Sequence, residues 1–360
     1  MLSSMRFLIL YITAGLVALF AACSNESVEP MSNIDEKSKI YLRAATSVDG
    51  YSESRIPYEL ENPTTDVPLN AEVWATTTRR VYANEHKEDG SVIADGSGPD
   101  GKVARHATAR FQSSNPQLLN AAIYNKDALI PVYFVAFHPQ DNWQSNAANN
   151  IATYNFSGYQ DVMFADEVSG VYATDYSQSP QLLFKHLLTW FKIEIKAENE
   201  EVAIAWGDIK SITIKSKSSV SIDLSKVYSV NECVDFTNET SLNFYHTGTD
   251  DVYPGTTPLP IPYTGFTEVA YTMCAPVMAT TDDLGDRTTE YVITIETTNR
   301  PNVTVNVDLK DGADSWFGGS TMGRMFTLKL NFKMGNTITV AATAQRWKTA
   351  GIGNIIIDED

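Results

Sequence analysis

Three cysteines in 360 residues, and 27 lysines and arginines against 44 aspartates and glutamates, narrow the field at once. So few cysteines exclude a disulfide-built scaffold and a four-cysteine zinc site. A net charge of −17 excludes a nucleic-acid binder, which needs a basic face to neutralise phosphates. It also argues against electrostatic adhesion to anionic lipid. The five histidines, His86, His106, His138, His186 and His246, have no histidine or cysteine neighbour at ligand spacing. There is no HExxH, no GxSxG elbow and no GxxxxGK[ST] phosphate loop. The chain therefore reads as a non-enzyme that needs no metal and no cofactor. Acidic pairs do occur at Asp166-Glu167, Asp250-Asp251 and Asp282-Asp283, the last near Asp286. They read as solvated turn acids, since carboxylate dyads are paired in space and adjacency in sequence says nothing of them.

Long apolar runs are absent after the first two dozen residues. Phe7 to Phe20 is a run of 14, interrupted only by Thr13 and Gly15, behind the single base Arg6. That is the layout of a signal peptide, too short for a comfortable bilayer span. Ala21 and Ala22 lead into Cys23, and this resembles a bacterial lipobox with Phe20 at its first position. The resemblance implies removal of residues 1–22 and lipidation (palmitate) of Cys23, so that the body is attached to a membrane and does not span it. Without those residues the net charge is −18. Residues 24–38, polar and carrying Pro30, read as a flexible tether. Cys233 and Cys274 either pair with each other or are small buried apolar residues.

The body reads as strands. Ile40, Leu42 and Ala44 alternate with Tyr41, Arg43 and Ala45, and AEVWATTT repeats the theme around Val73. Residues 130–137 (IPVYFVAF) form a nearly continuous apolar run, as a strand buried on both faces would. Further strands are expected at 190–197, 208–216, 220–225, 290–298, 302–310, 325–332 and 336–344. The turn-formers NRPN (299–302) and Met334-Gly335-Asn336 predict hairpins for 290–298 with 302–310 and for 325–332 with 336–344. Only LLFKHLLTW (182–190) has a helix-like pattern, with Leu183, Leu187 and Trp190 on one face. Many short strands and few helical stretches predict an all-β protein built from β-sandwiches. The polar AENEE stretch (197–201) predicts a boundary between an N-terminal domain, 38–199, and a C-terminal domain, 200–360. The loops 85–102 and 138–150 are too polar for a core and read as surface excursions. Trp143, Tyr154 and Tyr159, in or near the second loop, are either core aromatics or a sugar-stacking platform. The platform reading would make the protein a surface glycan-binding lipoprotein.

The order of segments resembles a known family. A lipobox is followed by KIYLRAATS, then by Arg55 in a polar YSESR stretch. DVMFA (161–165) and FKHLL (184–188) come next. Gly323, FTLKL (326–330), ITVAATAQRW (338–347) and the 351–358 tail close the chain. This resembles the fimbrillin-like lipoproteins of Bacteroidetes, the subunits of type V pili, over most of residues 36–360. The resemblance implies two tandem transthyretin-like β-sandwich domains and a location at the cell outer membrane, exposed on the surface. It also implies a trypsin-like protease that cuts after an arginine and removes the first strand. A strand from a neighbouring pilin subunit would then fill the vacated groove, and the polymer would grow head to tail. On this chain the displaced strand falls at 38–47, with Ile40, Leu42 and Ala44 on one face. The cleavage arginine is Arg55, with Arg43 as rival. The donor is Ile352 to Asp358, with Ile355 and Ile357 on one face and Ile356 on the other. The tail is short for a stalk subunit, so the implied role is stalk, tip or anchor.

Overall fold

The computed structural model describes residues 38–39, 42–46, 69–76, 79–80, 82, 104–111, 117–118, 123–124, 131–146, 150–170, 180–227, 230–247, 249–277, 280–281, 287–288, 290–309 and 321–345. Lys39–Asp360 belong to one compact unit. The strands are β1 (Ser38–Lys39), β2 (Arg43–Thr46), β3 (Leu69–Thr76), β4 (Ala104–Phe111), β5 (Gln117–Leu118), β6 (Ile123–Tyr124) and β7 (Val132–His138). They continue with β8 (Gln144–Asn146), β9 (Ile151–Asn155), β10 (Met163–Gly170), β11 (Gln181–His186), β12 (Thr189–Ala197) and β13 (Ile209–Asp223). The rest are β14 (Val234–Asn243), β15 (Thr267–Cys274), β16 (Thr280–Thr281), β17 (Arg287–Thr288), β18 (Glu290–Thr297), β19 (Val303–Asp308), β20 (Met325–Lys333) and β21 (Thr337–Gln345). Two short helices, α1 (Glu200–Trp206) and α2 (Val230–Cys233), interrupt them. The protein is all-β.

Three large sheets carry the fold. The first has the order β2-β11-β10-β7-β3-β4-β5, the second β15-β12-β20-β21, and the third β19-β18-β13-β9-β8 with β14 also on β13. Period-2 alternation sets the faces. Along β12, Phe191, Ile193, Ile195 and Ala197 are fully buried, while Lys192, Glu194 and Lys196 are half-buried on the opposite face. The expected hairpins are present: β18 pairs antiparallel with β19, and β20 with β21 over nine residues without a bulge. The left-handed backbone of Asn302, Gly335 and Asn336 (φ 48°, 76° and 64°) makes those turns.

The helix-like 182–190 pattern is not a helix. It is β11, a break at Leu187–Leu188, and the start of β12. The break re-phases the alternation, so apolar residues land at helical spacing by accident. The expected strands 208–216 and 220–225 are one strand, β13, about 50 Å long at 3.3 Å per residue. Its length lets it pair with β18, β14 and β9 along its course.

The sheets do not divide at residues 199 and 200. β12 lies before that point, yet it sits inside the second sheet between β15 and the parallel β20. β8 and β9 likewise join β13 in the third sheet. AENEE is not a linker. Asn199 accepts a hydrogen bond from the Val202 N–H and caps α1, and Glu200 and Glu201 occupy its first turn, where the helix dipole favours acids. Gly207 ends the helix at φ 75°, with Thr298 Oγ1 where a Cβ would stand.

The core is two apolar clusters. The larger joins the second and third sheets, through Ile193, Leu328, Ile212 and Ile293 among others, to one face of the first, through Trp74, Phe137 and Phe164. The smaller lies on the other face of the first sheet: Leu69, Ala71, Val73, Ala75, Val132, Phe134, Ala136, Met163, Ala165, Leu182 and Phe184, with Leu42.

Candidate functional site: an edge strand on an apolar cluster

β2 ends the first sheet, and among the described residues it pairs with β11 alone. The pairing is parallel, with Arg43 opposite Gln181, Ala44 opposite Leu182, Ala45 opposite Leu183 and Thr46 opposite Phe184. Just before the strand, Leu42 is only 1% exposed and belongs to the smaller cluster with Leu182 and Phe184. Burying one leucine contributes about 1.5–3 kcal/mol. Four ladder positions and one anchoring side chain therefore hold β2 to the body.

Of the residues singled out in the sequence, Leu42, Arg43 and Ala44 lie at this edge. Ile40, Arg55, Cys23 and Ile352, Ile355, Ile356 and Ile357 lie outside the described residues. So do His86, Asp282, Asp283, Asp286 and the loop 85–102. The alternation in 40–45 marked the neighbourhood of β2. Its parallel pairing with β11 had no signal in the sequence.

Beside the edge sits a buried polar pair. His186 ends β11, and its Nδ1 lies 2.6 Å from Asp161 Oδ2, with both side chains shielded from water. The Leu187 N–H donates to the Val162 carbonyl and closes the same corner. Gly323 (φ 65°) crosses over it and donates its N–H to the Leu188 carbonyl; a Cβ there would stand 3.3 Å from the His186 carbonyl oxygen. DVMFA and FKHLL, far apart in the chain, thus meet through Asp161 and His186.

The acids Asp166 and Glu167 are not solvated turn residues. Both lie on β10, whose register shifts between Ala165 and Val168. Asp166 pairs with Lys185. The Glu167 side chain is 4% exposed and accepts from Arg79 Nε, the Arg80 N–H and the Tyr82 hydroxyl. Burial beside that carboxylate pushes the Tyr82 phenol far above its ordinary range. Asp250 and Asp251 are exposed.

The sugar platform is not formed. Trp143 and Tyr154 are buried, stack at 5.1 Å and belong to the larger cluster, with Trp143 Nε1 donating to the Pro139 carbonyl. Tyr159 is half-buried against the same cluster. Aromatic rings next to polar loop residues fold inward because each removes a large apolar area from water. Cys233 and Cys274 are both free and buried. Burial raises the Cys233 thiol to about 12 and Cys274 higher still. Among the described residues no three histidine, cysteine or acidic side chains gather as a metal site would need. No described helix is long and apolar enough to cross a membrane.

An all-β body with an open-edged sheet is the class that the fold and the site define. No family model matches the chain, and no curated protein matches it. Solved structures do. A putative cell adhesion protein from Bacteroides uniformis is similar at 14% identity and TM-score 0.45, over 86% of this chain and 98% of that one. A fimbrial protein from Bacteroides vulgatus is similar at 14% identity and TM-score 0.42, over 86% and 99%. The fimbrial anchor protein Mfa2 from Porphyromonas gingivalis is similar at 10% identity and TM-score 0.40, over 88% and 99%.

Proposed function

We propose that the chain is a structural subunit of a cell-surface fimbrium with a role in adhesion, assembled by loss of β2 and insertion of a strand from a neighbouring subunit. The observation that carries this reading is the position of β2: at a sheet edge, held by β11 alone, with Leu42 seated in an apolar cluster. Removing such a strand leaves a row of unpaired backbone groups on β11 and an unfilled place beside Leu182 and Phe184. An extended apolar strand satisfies both needs at once. Head-to-tail donation does not close on itself, so it makes a filament.

In this reading Cys23 carries the lipid that holds the precursor at the outer membrane. A trypsin-like protease cuts after Arg55. That position lies beyond β2 in the chain, so the cut frees the whole strand; a cut at Arg43 would leave Ala44–Thr46 in the sheet. The donor is the isoleucine-rich segment 352–358 of the next subunit, with Ile352, Ile355, Ile356 and Ile357 facing the groove. The two-sandwich layout also belongs to this reading. The two apolar clusters support it, and the Leu187–Leu188 break is the natural boundary.

Limited trypsin treatment followed by N-terminal sequencing tests the reading. The expected result is a stable body beginning after Arg55 that forms multimers resistant to mild SDS. A trimmed body that stays monomeric and binds no Ile352–Asp358 peptide would sink it.

A further inference from the structure

A second edge, remote in the fold's wiring from β2, has a different character. β21 ends the second sheet, and among the described residues it has only β20 as a ladder partner. From Thr337 to Gln345 it reads TITVAATAQ, with no charge, no proline and no glycine. Natural edges are blunted by lysine, proline, a bulge or a very short strand. β21 has none of these: its register runs unbroken from Lys333–Thr337 to Met325–Gln345. Thr337, Thr339, Ala341 and Thr343 are exposed, while Ile338, Val340 and Ala342 pack half-buried against the larger cluster.

We propose that β21 pairs antiparallel with β21 of a second copy of the chain, about a two-fold axis at Ala341, joining two four-stranded sheets into one. The strand is self-complementary about that residue. With Ala341 opposite its own copy, Thr339 stands opposite Thr343, and Val340 opposite Ala342. Outward positions meet outward positions and inward meet inward, the condition for extending a sheet without a register slip. Cross-strand Thr–Thr pairs are favourable in themselves.

Charge selects a second copy as the occupant. Copies carrying −17 each repel over most of their surfaces. At this seam the nearest charged side chains on the outer face are Lys329, opposite Ala341, and Lys333, opposite Thr337. Lys329 is already paired with Glu194. Across the joined sheet the two Lys329 residues stand three strand spacings apart, about 14 Å. That exceeds the screening length of about 8–10 Å at physiological salt. The edge is thus a neutral strip on an acidic protein, and a two-fold contact closes on itself. The inference does not depend on displacement of β2.

The test is sedimentation equilibrium of the full chain in mild detergent. A reversible dimer is expected. Ala341→Lys places like charges face to face across the axis and weakens the dimer about tenfold or more. Mixing Ala341→Lys with Ala341→Glu restores it as a heterodimer. Under mild oxidation Ala341→Cys cross-links to itself, while Thr337→Cys, whose partner position is Gln345, does not. Ala341 is exposed, so these variants keep the near-ultraviolet circular dichroism of the parent. A chain that stays monomeric, a dimer indifferent to Ala341→Lys, or equal cross-linking of Thr337→Cys would each overturn the proposal.

Discussion

Asp161 and His186 touch at 2.6 Å in the dry interior, where β10 and β11 meet the crossing into the second sheet. The other carboxylate oxygen, Asp161 Oδ1, is buried with no hydrogen-bond partner among the described residues. A buried pair of this kind is costly to break and less costly to replace. Removing one member leaves the other polar group stranded, at about 3–5 kcal/mol. His186→Leu is therefore expected to lower unfolding stability by that amount in urea. The double variant Asp161→Leu with His186→Leu is expected to lose clearly less than the two single losses combined.

Tyr291 ties the third sheet to the second. Its hydroxyl lies 2.7 Å from Thr321 Oγ1 and 3.2 Å from Thr189 Oγ1, and it donates to the Ala275 carbonyl at 3.2 Å. Thr189 and Thr321 are themselves hydrogen-bonded and fully buried. Burial holds the phenol well above its ordinary range, so it stays a neutral donor. Tyr291→Phe keeps the edge-on contact with Phe191 and removes only the hydroxyl. A loss of about 1–3 kcal/mol follows from the unsatisfied groups left behind. A change under about 0.5 kcal/mol would show that the threonines satisfy each other unaided.

Glu72 gives the fold a pH dependence. Burial, reinforced by Asp141, raises its carboxyl to about 7 against the hydrogen bond from Trp74 Nε1. Below about 4.5 the group is protonated in both folded and unfolded chains, and its effect on stability cancels. Between about 4.5 and about 7 the unfolded chain ionises first, so stability falls as pH rises. The loss is complete above about 7 and is on the order of 1–3 kcal/mol. Glu72→Gln is expected to flatten this segment of the stability curve and to be more stable than the parent at pH 8. Equal slopes for parent and variant between pH 5 and pH 7 would refute the assignment.

Local rules made part of this fold legible. Alternation and Asn/Gly turns placed β18 with β19 and β20 with β21, because both pairings are between neighbours in sequence. Pairings between distant segments left no trace. Nothing in residues 189–197 says that β12 runs parallel to β20, or that β2 runs parallel to β11. Local polarity also misled. AENEE looked like a linker because capping residues and linker residues share a composition. Trp143 looked accessible because its sequence neighbours are polar, yet it is buried among aromatics from β7 and β9. Asp161 and His186 each looked like ordinary surface residues; only their approach makes them a site.

Leu42 separates the anchoring of β2 from the stability of the rest. It joins the smaller cluster, whereas β20 and β21 rest on the larger. Leu42→Ala is expected to cost about 2–3 kcal/mol at the edge of the first sheet. Leu42→Asp should cost more, since a carboxylate has no partner in that cluster. Hydrogen exchange resolves where the loss falls. Amides of β2 and β11 should exchange faster in both variants, while those of β20 and β21 keep their protection, because local opening need not involve the whole fold. Uniform acceleration over both groups would mean that β2 is an integral part of one cooperative unit. Strand displacement would then require global unfolding, and the assembly route through β2 would be closed.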